Sequence, residues 1–460
     1  MQDWTPQIEP GSGPKYLAIA GALSNDIASG KVRRGARLPS QRLLAARLGI
    51  DLTTVTRAYR EAQRQGLIEG DGRRGSFVRK SPNQSASFDL SADRSGGMNT
   101  PPEGVAGKLP SEFIRAAENV LARDCGAPFH YQVSTGMARA RQAGEEILRS
   151  RNIPFGNENL LVTAGGQHAL HAIFSAELKR GDVLAVGRYV YPGILSLARR
   201  FGIQLRVVEG DDEGMLPEAL DAACQRSAVR AVYLVPSNDN PTTVTMGAAR
   251  REALAGVVTS HKVSIIEDDA YGLLATRPAT PFAAFVPDLT WHIASVSKLI
   301  TPGLRVAWMR VPDAASAWRL GADLHETTIM ASPLNAAVVA EWVETGVFFD
   351  LIDDVRNEAR SRQAIARACL PQGSFAAHED GYHLWLELGD DAIPSQISDA
   401  LRQQGVSATA GEAFAADRSQ NHRALRVSIG GSMSQDQLRR GLSLLAAVLQ
   451  PDVTRNSLLV

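Results

Sequence analysis

Residues 294–305 read Ala-Ser-Val-Ser-Lys-Leu-Ile-Thr-Pro-Gly-Leu-Arg, and this stretch decides which fold the rest of the chain is expected to form. Hydroxyls, an amine and a guanidinium cluster here directly after the apolar run 292–296, which is typical of a buried strand. A lysine amine at a strand end in a partly dry site can condense with an aldehyde to form a Schiff base. We therefore predict that Lys298 forms such a bond and that Ser295 and Arg305 bind a phosphate beside it.

Apolar runs alternate with helical segments on both sides of this stretch. Short, nearly continuous apolar strands covered by helices predict an α/β domain with a largely parallel sheet that is buried on both faces. In such a sheet, ligand chemistry lies in the loops beyond the strand ends. The predicted strands are 160–163, 183–186, 205–208, 231–235, 263–266, 292–296 and 306–311.

Three further loops carry polar or aromatic groups that suit one cofactor. Gly166 opens a helix whose N-terminal N–H groups could bind a phosphate. Asp268 ends an apolar strand, where a carboxylate can hold a pyridine nitrogen protonated. Asn240 could bond a phenolic oxygen, and Tyr191 could stack on a ring. With the lysine, these groups meet the requirements of pyridoxal 5'-phosphate.

Each of these residues has an ordinary structural explanation when taken alone. Asp268 could cap a helix, Arg305 could form a surface ion pair, and Lys298 could be solvated. His168 and His171 are spaced like helical metal ligands, but they lack a third ligand nearby, so we expect no metal site. The coincidence of all the other motifs favours the cofactor.

The first eighty residues carry a charge asymmetry that the zero net charge of the chain conceals. They contain about 14 Lys or Arg against about 7 acidic residues. This excess of positive charge is matched by an equal excess of negative charge in the remainder of the chain. Helical periodicity predicts three short helices between residues 16 and 62, and a glycine-rich turn, 70–75, separates two β-type runs after them. This order predicts a winged helix-turn-helix, whose third helix enters the major groove of DNA. A small helical domain with solvated arginines stays the alternative.

The N-terminal pattern also resembles the GntR family of bacterial regulators. The matching residues are Leu38-Pro39-Ser40-Gln41-Arg42, Leu44-Ala45, Leu48-Gly49, Thr54-Val55, Ala58-Tyr59, Gly66-Leu67 and Gly75-Ser76-Phe77-Val78. The resemblance implies that DNA is contacted by Arg42, Thr53, Thr54, Thr56, Arg57, Arg73 and Arg74. Family members often carry Arg at the start of the third helix, where this chain has Leu52, so we expect an unusual base preference.

Residues from about 115 to 450 look like a class-I aminotransferase of fold type I, with the main cofactor motifs in the family order. The resemblance implies that Lys298 forms the internal aldimine and that Asp268 is the partner of the pyridine nitrogen. It places Asn240 and Tyr271 beside the phenolic oxygen and Tyr191 on the ring. It implies that the phosphate is held by Gly166, Gln167, Ser295, Ser297 and Arg305.

Three more positions follow from the same resemblance. Tyr131 would reach the phosphate of the other subunit of a homodimer. Arg426, in Ala424-Leu425-Arg426-Val427-Ser428, would bind the carboxylate of a ligand and contribute little to holding the cofactor. Thr243 stands where aminotransferases usually have Gly after Asn240-Pro241-Thr242, and it could reshape that loop.

The combined layout resembles the MocR subfamily of GntR-type regulators. We predict a DNA-binding domain at 1–79, a flexible linker at 80–110, and an α/β cofactor domain at 111–460 whose smaller α+β part begins near 340. A cytoplasmic regulator is expected that binds double-stranded DNA and an amine or amino-acid-like effector, which would displace Lys298 to form an external aldimine. No apolar run is long enough to span a membrane. The competing hypothesis is a working aminotransferase with a DNA-binding appendage. A third hypothesis is a DNA-binding protein that has lost the cofactor, and the retention of Lys298 and Asp268 argues against it.

Overall fold

The protein is described by a computed structural model, in which two compact units are distinguished, Met1–Asp89 and Leu90–Val460. The described residues are 4–6, 14–29, 31–33, 35–64, 67–70, 75–78, 97–103, 108–124, 126–156, 158–389, 392–417, 419 and 422–449. Among these residues, no helix combines the length and the apolar character needed to cross a bilayer.

The first unit is a three-helix domain with a β-hairpin, as the sequence predicts. Its elements are α1 (Lys15–Ala28), α2 (Gln41–Leu48), α3 (Leu52–Arg64), β1 (Ile68–Gly70) and β2 (Ser76–Val78). Ser40 caps α2, because its hydroxyl accepts a hydrogen bond from the Leu43 amide at 3.2 Å. The strands pair antiparallel, and the buried Tyr59 hydroxyl donates to the Pro39 carbonyl at 2.7 Å. This architecture confirms the predicted winged helix-turn-helix fold.

The second unit is built on a mixed sheet with the spatial order β3-β11-β10-β9-β8-β4-β5. Strand β11 runs antiparallel to both of its neighbours, whereas the other neighbouring pairs are parallel. The larger strands are β3 (Leu160–Thr163), β4 (Val183–Val186), β5 (Gln204–Val207), β8 (Val229–Leu234), β9 (Ser264–Asp268), β10 (Thr290–Ser295) and β11 (Ala307–Arg310). A short hairpin lies between β5 and β8 and consists of β6 (Gly210–Asp211) and β7 (Gly214–Met215).

The helices of this part pack on the sheet and on one another. They are α4 (Lys108–Asp124), α5 (Ala138–Ser150), α6 (Gly166–Glu177), α7 (Pro192–Phe201), α8 (Pro217–Arg226), α9 (Ala248–His261), α10 (Phe282–Phe285), α11 (Val296–Leu299), α12 (Ala314–Thr328) and α13 (Pro333–Glu344). Strands β3, β10 and β11 are buried at every position, which is the burial expected of a sheet covered on both faces.

A smaller antiparallel sheet follows near the C-terminus, in the order β12-β14-β13. The elements of this part are α14 (Val347–Cys369), β12 (His383–Glu387), α15 (Pro394–Gln403), β13 (Ala408–Ala410), β14 (Ala424–Ser428) and α16 (Gln435–Leu449). The large, mostly parallel sheet and the smaller α+β part confirm the predicted fold class of this unit.

Two features of the fold position the candidate site. The parallel strands β8, β9 and β10 end at the same edge of the sheet, so the loops that follow them lie close together. The segment 97–103 falls inside the predicted linker, but it packs within the second unit, where Asn99 is only 2% exposed. Its polar composition indicated a solvated connection, whereas its polar groups are hydrogen-bonded inside the protein. The predicted linker residues 80–96 and 104–107 lie outside the described residues.

Candidate functional site

Lys298 lies in the turn of helix that directly follows β10. The Ser295 hydroxyl accepts a hydrogen bond from the Ser297 amide at 3.3 Å and so caps this turn. Burial lowers the pKa of Lys298 to about 8, and the positive charges of Arg426 and Arg305 act in the same direction, against Asp268. A larger fraction of the amine is therefore neutral near pH 7 than for an exposed lysine, which is the condition for nucleophilic attack on an aldehyde.

Asp268, the last residue of β9, is the second component of the site. Its Oδ2 accepts a hydrogen bond from the Tyr233 hydroxyl at 2.9 Å. Burial raises the pKa of Asp268 to about 6, while the bond from Tyr233 opposes that rise. A buried carboxylate with one hydrogen-bond donor can hold a protonated ring nitrogen.

The two acidic neighbours of Asp268 have structural partners instead. Glu267 accepts hydrogen bonds from the Phe282 and Ala283 amides at 2.8 and 3.1 Å and contacts His292 Nδ1 at 2.9 Å. Asp269 pairs with Arg151 at 2.9 Å. Of the three consecutive acids, Asp268 is therefore the one left to act in the site.

The N-terminus of α6 forms the end of the site that suits a phosphate. Gly165 has φ of 85°, and a Cβ there would lie 2.5 Å from Nη2 of Arg305, so only glycine lets this guanidinium approach. Arg305 donates to the Ala164 carbonyl at 3.1 Å and itself has φ of 53°, a left-handed conformation that is uncommon for a residue other than glycine. Ser295 Oγ lies 3.8 Å from the position of a Cβ on Gly166.

Two buried polar atoms in this part of the described chain lack a hydrogen-bond partner, Oε1 of Gln167 and Oγ of Ser297. Buried polar groups are nearly always hydrogen-bonded, so each exception calls for an explanation. A phosphate held at the start of α6 would accept a hydrogen bond from the Ser297 hydroxyl. It would also accept one from Gln167 once the amide is turned so that its NH2 group takes the place of Oε1. The residues present thus fit the phosphate of the predicted cofactor.

The predicted ring-binding residues surround the same space. A Cβ on Gly193 would lie 2.2 Å from the Tyr191 ring and 2.3 Å from Oε1 of Gln167, which places both side chains together. Burial raises the pKa of Tyr191, as does the nearby charge of Asp268. Burial also raises the pKa of Tyr271 to about 12, so its hydroxyl stays protonated at neutral pH.

Arg426 joins this group from the smaller sheet, where it lies 3% exposed on β14. Its Nη1 donates to Oδ1 of Asn240 at 2.9 Å, and its Nη2 donates to the Gly97 carbonyl. The guanidinium carbon lies 4.9 Å from the centre of the Phe414 ring. The predicted carboxylate-binding residue is therefore in direct contact with a predicted cofactor-binding amide.

Thr243 keeps the loop after Asn240 in a conformation that glycine usually adopts. Its φ is 66°, and its amide donates to the Asp239 carbonyl at 2.7 Å. Thr243 adopts this left-handed conformation at a cost in backbone strain of about 1–2 kcal/mol.

Tyr131, the remaining predicted cofactor residue, is largely exposed. It is 80% exposed, and it stands between Phe129 and Val133, which are 68% and 60% exposed. A run of exposed apolar residues of this kind is typical of a surface covered by another protein chain.

Sequence analysis missed four residues that contact the site residues. Tyr233 supports Asp268, as described above, and the Tyr382 hydroxyl donates to the Lys298 carbonyl at 2.9 Å. Asn99 donates through Nδ2 to the Tyr271 hydroxyl at 3.0 Å and to His383 Nδ1 at 3.1 Å. Burial lowers the pKa of His383 to about 3, so this ring is neutral. No sequence motif marks these positions, because each lies within an apolar strand or a polar connection.

The candidate DNA-binding residues lie on α2 and α3 of the first unit. Arg42, Thr53 and Arg57 are exposed, and Arg57 also stacks over the Tyr16 ring at 5.0 Å. Thr54 and Thr56 are half-buried. Arg73 and Arg74 lie outside the described residues.

The threonine hydroxyls of α3 have partners within the domain. The Thr56 hydroxyl lies 2.9 Å from both Oε1 of Gln41 and the Leu52 carbonyl oxygen, and its contact with Gln41 links α3 to α2. Thr53 donates to Asp51, which caps the start of α3. These two hydroxyls orient the helices, so the exposed cations are the stronger candidates for direct phosphate contact.

Comparison with known proteins links each unit to a family. Residues 97–445 match the aminotransferase class I and II family, and residues 15–78 match the gntR family of bacterial regulatory proteins. The uncharacterized HTH-type transcriptional regulator YdeF of Bacillus subtilis is 28% identical over 455 residues, which cover 97% of this chain and 96% of YdeF. The vitamin B6 salvage pathway transcriptional repressor PtsJ of Salmonella typhimurium is 28% identical over 407 residues, 86% of this chain and 90% of PtsJ.

Solved structures match the second unit. A kynurenine aminotransferase of Pyrococcus horikoshii superposes with a TM-score of 0.69 at 22% identity and covers 77% of this chain and 89% of its own. The α-aminoadipate aminotransferase LysN of Thermus thermophilus gives a TM-score of 0.68 at 22% identity, with 77% of this chain and 92% of LysN covered. At this identity the likeness establishes the fold alone.

Proposed function

The chain belongs to the aminotransferase class I and II family and carries a gntR-family DNA-binding domain, the layout of the MocR subfamily of transcription regulators, and from this premise we propose that it senses an amine-bearing metabolite. The cofactor is pyridoxal 5'-phosphate. The observation that carries the proposal is that Lys298, Asp268 and Arg426 lie close enough for their charges to interact, in a chain whose other unit matches the gntR family of regulatory proteins.

Pyridoxal phosphate, when bound, supplies an aldehyde that bonds covalently to primary amines and a ring that withdraws electrons. The residues of this chain would hold it at three points. Arg305, Ser295, Ser297, Gln167 and the start of α6 would hold the phosphate, and Asp268 would hold the ring nitrogen. Asn240, Tyr191 and Tyr271 would orient the ring, and Lys298 would supply the neutral amine that the aldehyde requires.

An effector with an amine and an acid group would meet two complementary side chains. Its amine would compete with Lys298 for the cofactor aldehyde, and its acid group would bind the guanidinium of Arg426 by two charge-assisted hydrogen bonds. Binding of this kind regulates DNA affinity only if the effector favours one arrangement of the protein, commonly by about 1–3 kcal/mol.

The first unit supplies the DNA-binding activity in this proposal. Arg42 and Arg57 contact the backbone or bases, and Arg73 and Arg74 of the predicted wing add phosphate contacts. Phosphate contacts release counterions, so affinity should fall steeply with salt. The similarity to PtsJ, which is named a transcriptional repressor, supports a regulatory role.

A cytoplasmic homodimer is part of the same proposal. Phe129, Tyr131 and Val133 are exposed next to one another, and Tyr131 carries a hydroxyl that could reach a phosphate in a second copy of the chain. A symmetric dimer would also match the twofold symmetry of a palindromic operator.

Catalytic transamination is the second candidate function, and the Lys298 amine favours it. The same lysine that releases the cofactor can move a proton during transamination, and its pKa of about 8 suits a general base near neutral pH. The two functions differ in turnover, since a sensor needs only reversible binding.

One experiment separates these functions. The purified chain is examined for a visible absorbance band, amines and amino acids are then added with and without 2-oxo acids, and affinity for DNA is measured in parallel. A regulator gives spectral shifts that change DNA affinity without turnover. Sustained conversion of amino acid and 2-oxo acid would favour the enzyme, and a colourless protein would end the cofactor hypothesis.

A further inference from the structure

Residues 97–103 form a strap across the candidate site, held by Arg426, which is expected to bind the effector, and by Lys298, which is expected to bind the cofactor. The Gly97 carbonyl accepts hydrogen bonds from Nη2 of Arg426 and, at 3.2 Å, from the Thr409 hydroxyl. The Asn99 carbonyl accepts from Nζ of Lys298 at 2.5 Å. Two successive backbone contacts of the strap thus use Arg426 and Lys298.

The side chain of Asn99 fixes the strap from the other direction. It is 2% exposed, and its Oδ1 accepts from the Ser428 hydroxyl at 2.7 Å. Its Nδ2 donates to Tyr271 and to His383, at the distances given above. One amide therefore links the strap to a ring-orienting tyrosine and to the smaller sheet.

The far end of the strap fits against a glycine. A Cβ on Gly430 would lie 1.9 Å from the Thr100 carbonyl oxygen, a separation that no side chain permits. The next residue, Gly431, donates its amide to the same Thr100 oxygen at 3.0 Å. The strap can occupy this position only because residue 430 has no side chain.

We propose that the strap competes with the effector for Arg426, so that effector binding loosens the strap and passes this change to the segment that leads toward the DNA-binding unit. The inference rests on the proposed function. A carboxylate is a stronger acceptor for a guanidinium than a neutral carbonyl. Once an acid group occupies Arg426, the Gly97 carbonyl loses its strongest donor, and a buried polar group without a partner favours local opening.

Opening of the strap would affect the connection to the first unit, because the strap lies directly after that connection in the sequence. Residues 80–96 connect it to the first unit, so the strap is the first described segment of the second unit along the chain. An effector that releases the strap adds residues 97–103 to the connection between the units and changes how a dimer presents its DNA-binding domains.

The test compares Gly430→Ala with Gly389→Ala. A Cβ on Gly389 meets nothing within 4 Å, so this variant is the matched control. Hydrogen exchange of the peptide that contains residues 97–103 reports the strap, visible absorbance reports the cofactor, and fluorescence anisotropy reports DNA affinity. We expect at least about tenfold faster exchange and an altered DNA affinity for Gly430→Ala, with its cofactor retained, and wild-type values for the control.

Asn99→Ala supplies a second variant that adds no atoms, so it reports on the strap even if Gly430→Ala does not fold. It should speed exchange of the strap in the same way. Unchanged exchange in Asn99→Ala, or faster exchange with wild-type DNA affinity in both variants, would overturn the proposal.

The competition itself is tested on the wild-type holoprotein with the standard amino acids, with ethylamine as the probe that lacks an acid group. An amino acid that shifts the cofactor band is counted as bound, and each bound amino acid should speed hydrogen exchange of the strap. Ethylamine should speed this exchange less. A bound amino acid that leaves exchange unchanged refutes competition. If no amine shifts the band or the wild-type chain does not bind DNA, the proposed function fails instead, and the strap variants still report whether the strap is held as described.

Discussion

Tyr233→Phe tests how the protein keeps Asp268 ionised beside the cofactor. The Tyr233 hydroxyl donates to Asp268 at 2.9 Å, and the phenol stays protonated because burial raises its pKa well above the ordinary value. Hydrogen bonds to a charged group contribute about 1.5–3 kcal/mol. Loss of the bond raises the pKa of Asp268 above its present value of about 6, so less carboxylate is available at pH 7 to hold a protonated ring nitrogen.

The expected result is a fall in affinity for pyridoxal phosphate of about 10- to 150-fold at pH 7. The wild-type affinity should decline as pH falls through about 6, and in the variant this decline should begin at a higher pH. Equilibrium dialysis with absorbance detection between pH 5.5 and 8.5 measures both effects. Tyr189→Phe is the control, because its hydroxyl lies 3.4 Å from His422 and does not contact Asp268. An unchanged affinity and pH profile for Tyr233→Phe would refute the argument.

Three further predictions concern the lysine, the DNA-binding arginines and Arg426. Lys298→Ala should abolish the lysine-linked absorbance band and leave DNA binding intact, and the wild-type apoprotein should take up cofactor faster as pH rises to about 8, where the amine becomes neutral. A band that persists in the variant would place the cofactor on another lysine. Arg57→Ala should weaken DNA binding, and Arg73→Ala with Arg74→Ala should also reduce its salt dependence, relative to Arg206→Ala in the second unit. Equal affinities and slopes in all three variants would contradict the proposed interface. Arg426→Ala should lower affinity for carboxylate-bearing effectors by about 2 kcal/mol more than for simple amines, as spectral titration can measure. Equal losses for both classes would remove Arg426 from acid recognition.

Much of the fold follows from short-range patterns in the sequence. Strands β3 and β4 have the predicted bounds, because their apolar runs begin directly after Asn159 and Asp182 and end at or just before Gly165 and Gly187. The Ser40 cap of α2 was predictable for the same reason, since a capping hydroxyl acts within three residues. The antiparallel direction of β11 could not be predicted in this way, because the direction of a strand depends on the connection across the sheet and not on the strand's own residues.

The site shows the same division between local and distant information. A motif can indicate that one of the acids at 267–269 serves the cofactor, but only the structure shows that Glu267 and Asp269 are occupied elsewhere. Asn99 was assigned to a linker by composition, because polar residues in a connection are usually solvated. Its partners Tyr271, His383 and Ser428 lie 172 or more residues away, at a separation that no periodicity reveals.

Arg426 links the residues that are proposed to recognise the effector with those that are proposed to bind the cofactor. The sequence motif alone suggested a side chain devoted to the ligand's acid group. In the structure, its two terminal nitrogens instead bridge Asn240, a candidate cofactor ligand, and Gly97, at the start of the strap. A carboxylate that draws this guanidinium toward itself must therefore change a contact of the cofactor, a contact of the strap, or both. Because the guanidinium also packs against Phe414, its freedom to turn is small, and the energy of the new ion pair is transmitted to those partners rather than absorbed by motion of the side chain. In this position, binding of an acid group by Arg426 would alter contacts both beside the cofactor and in the segment that leads to the DNA-binding unit.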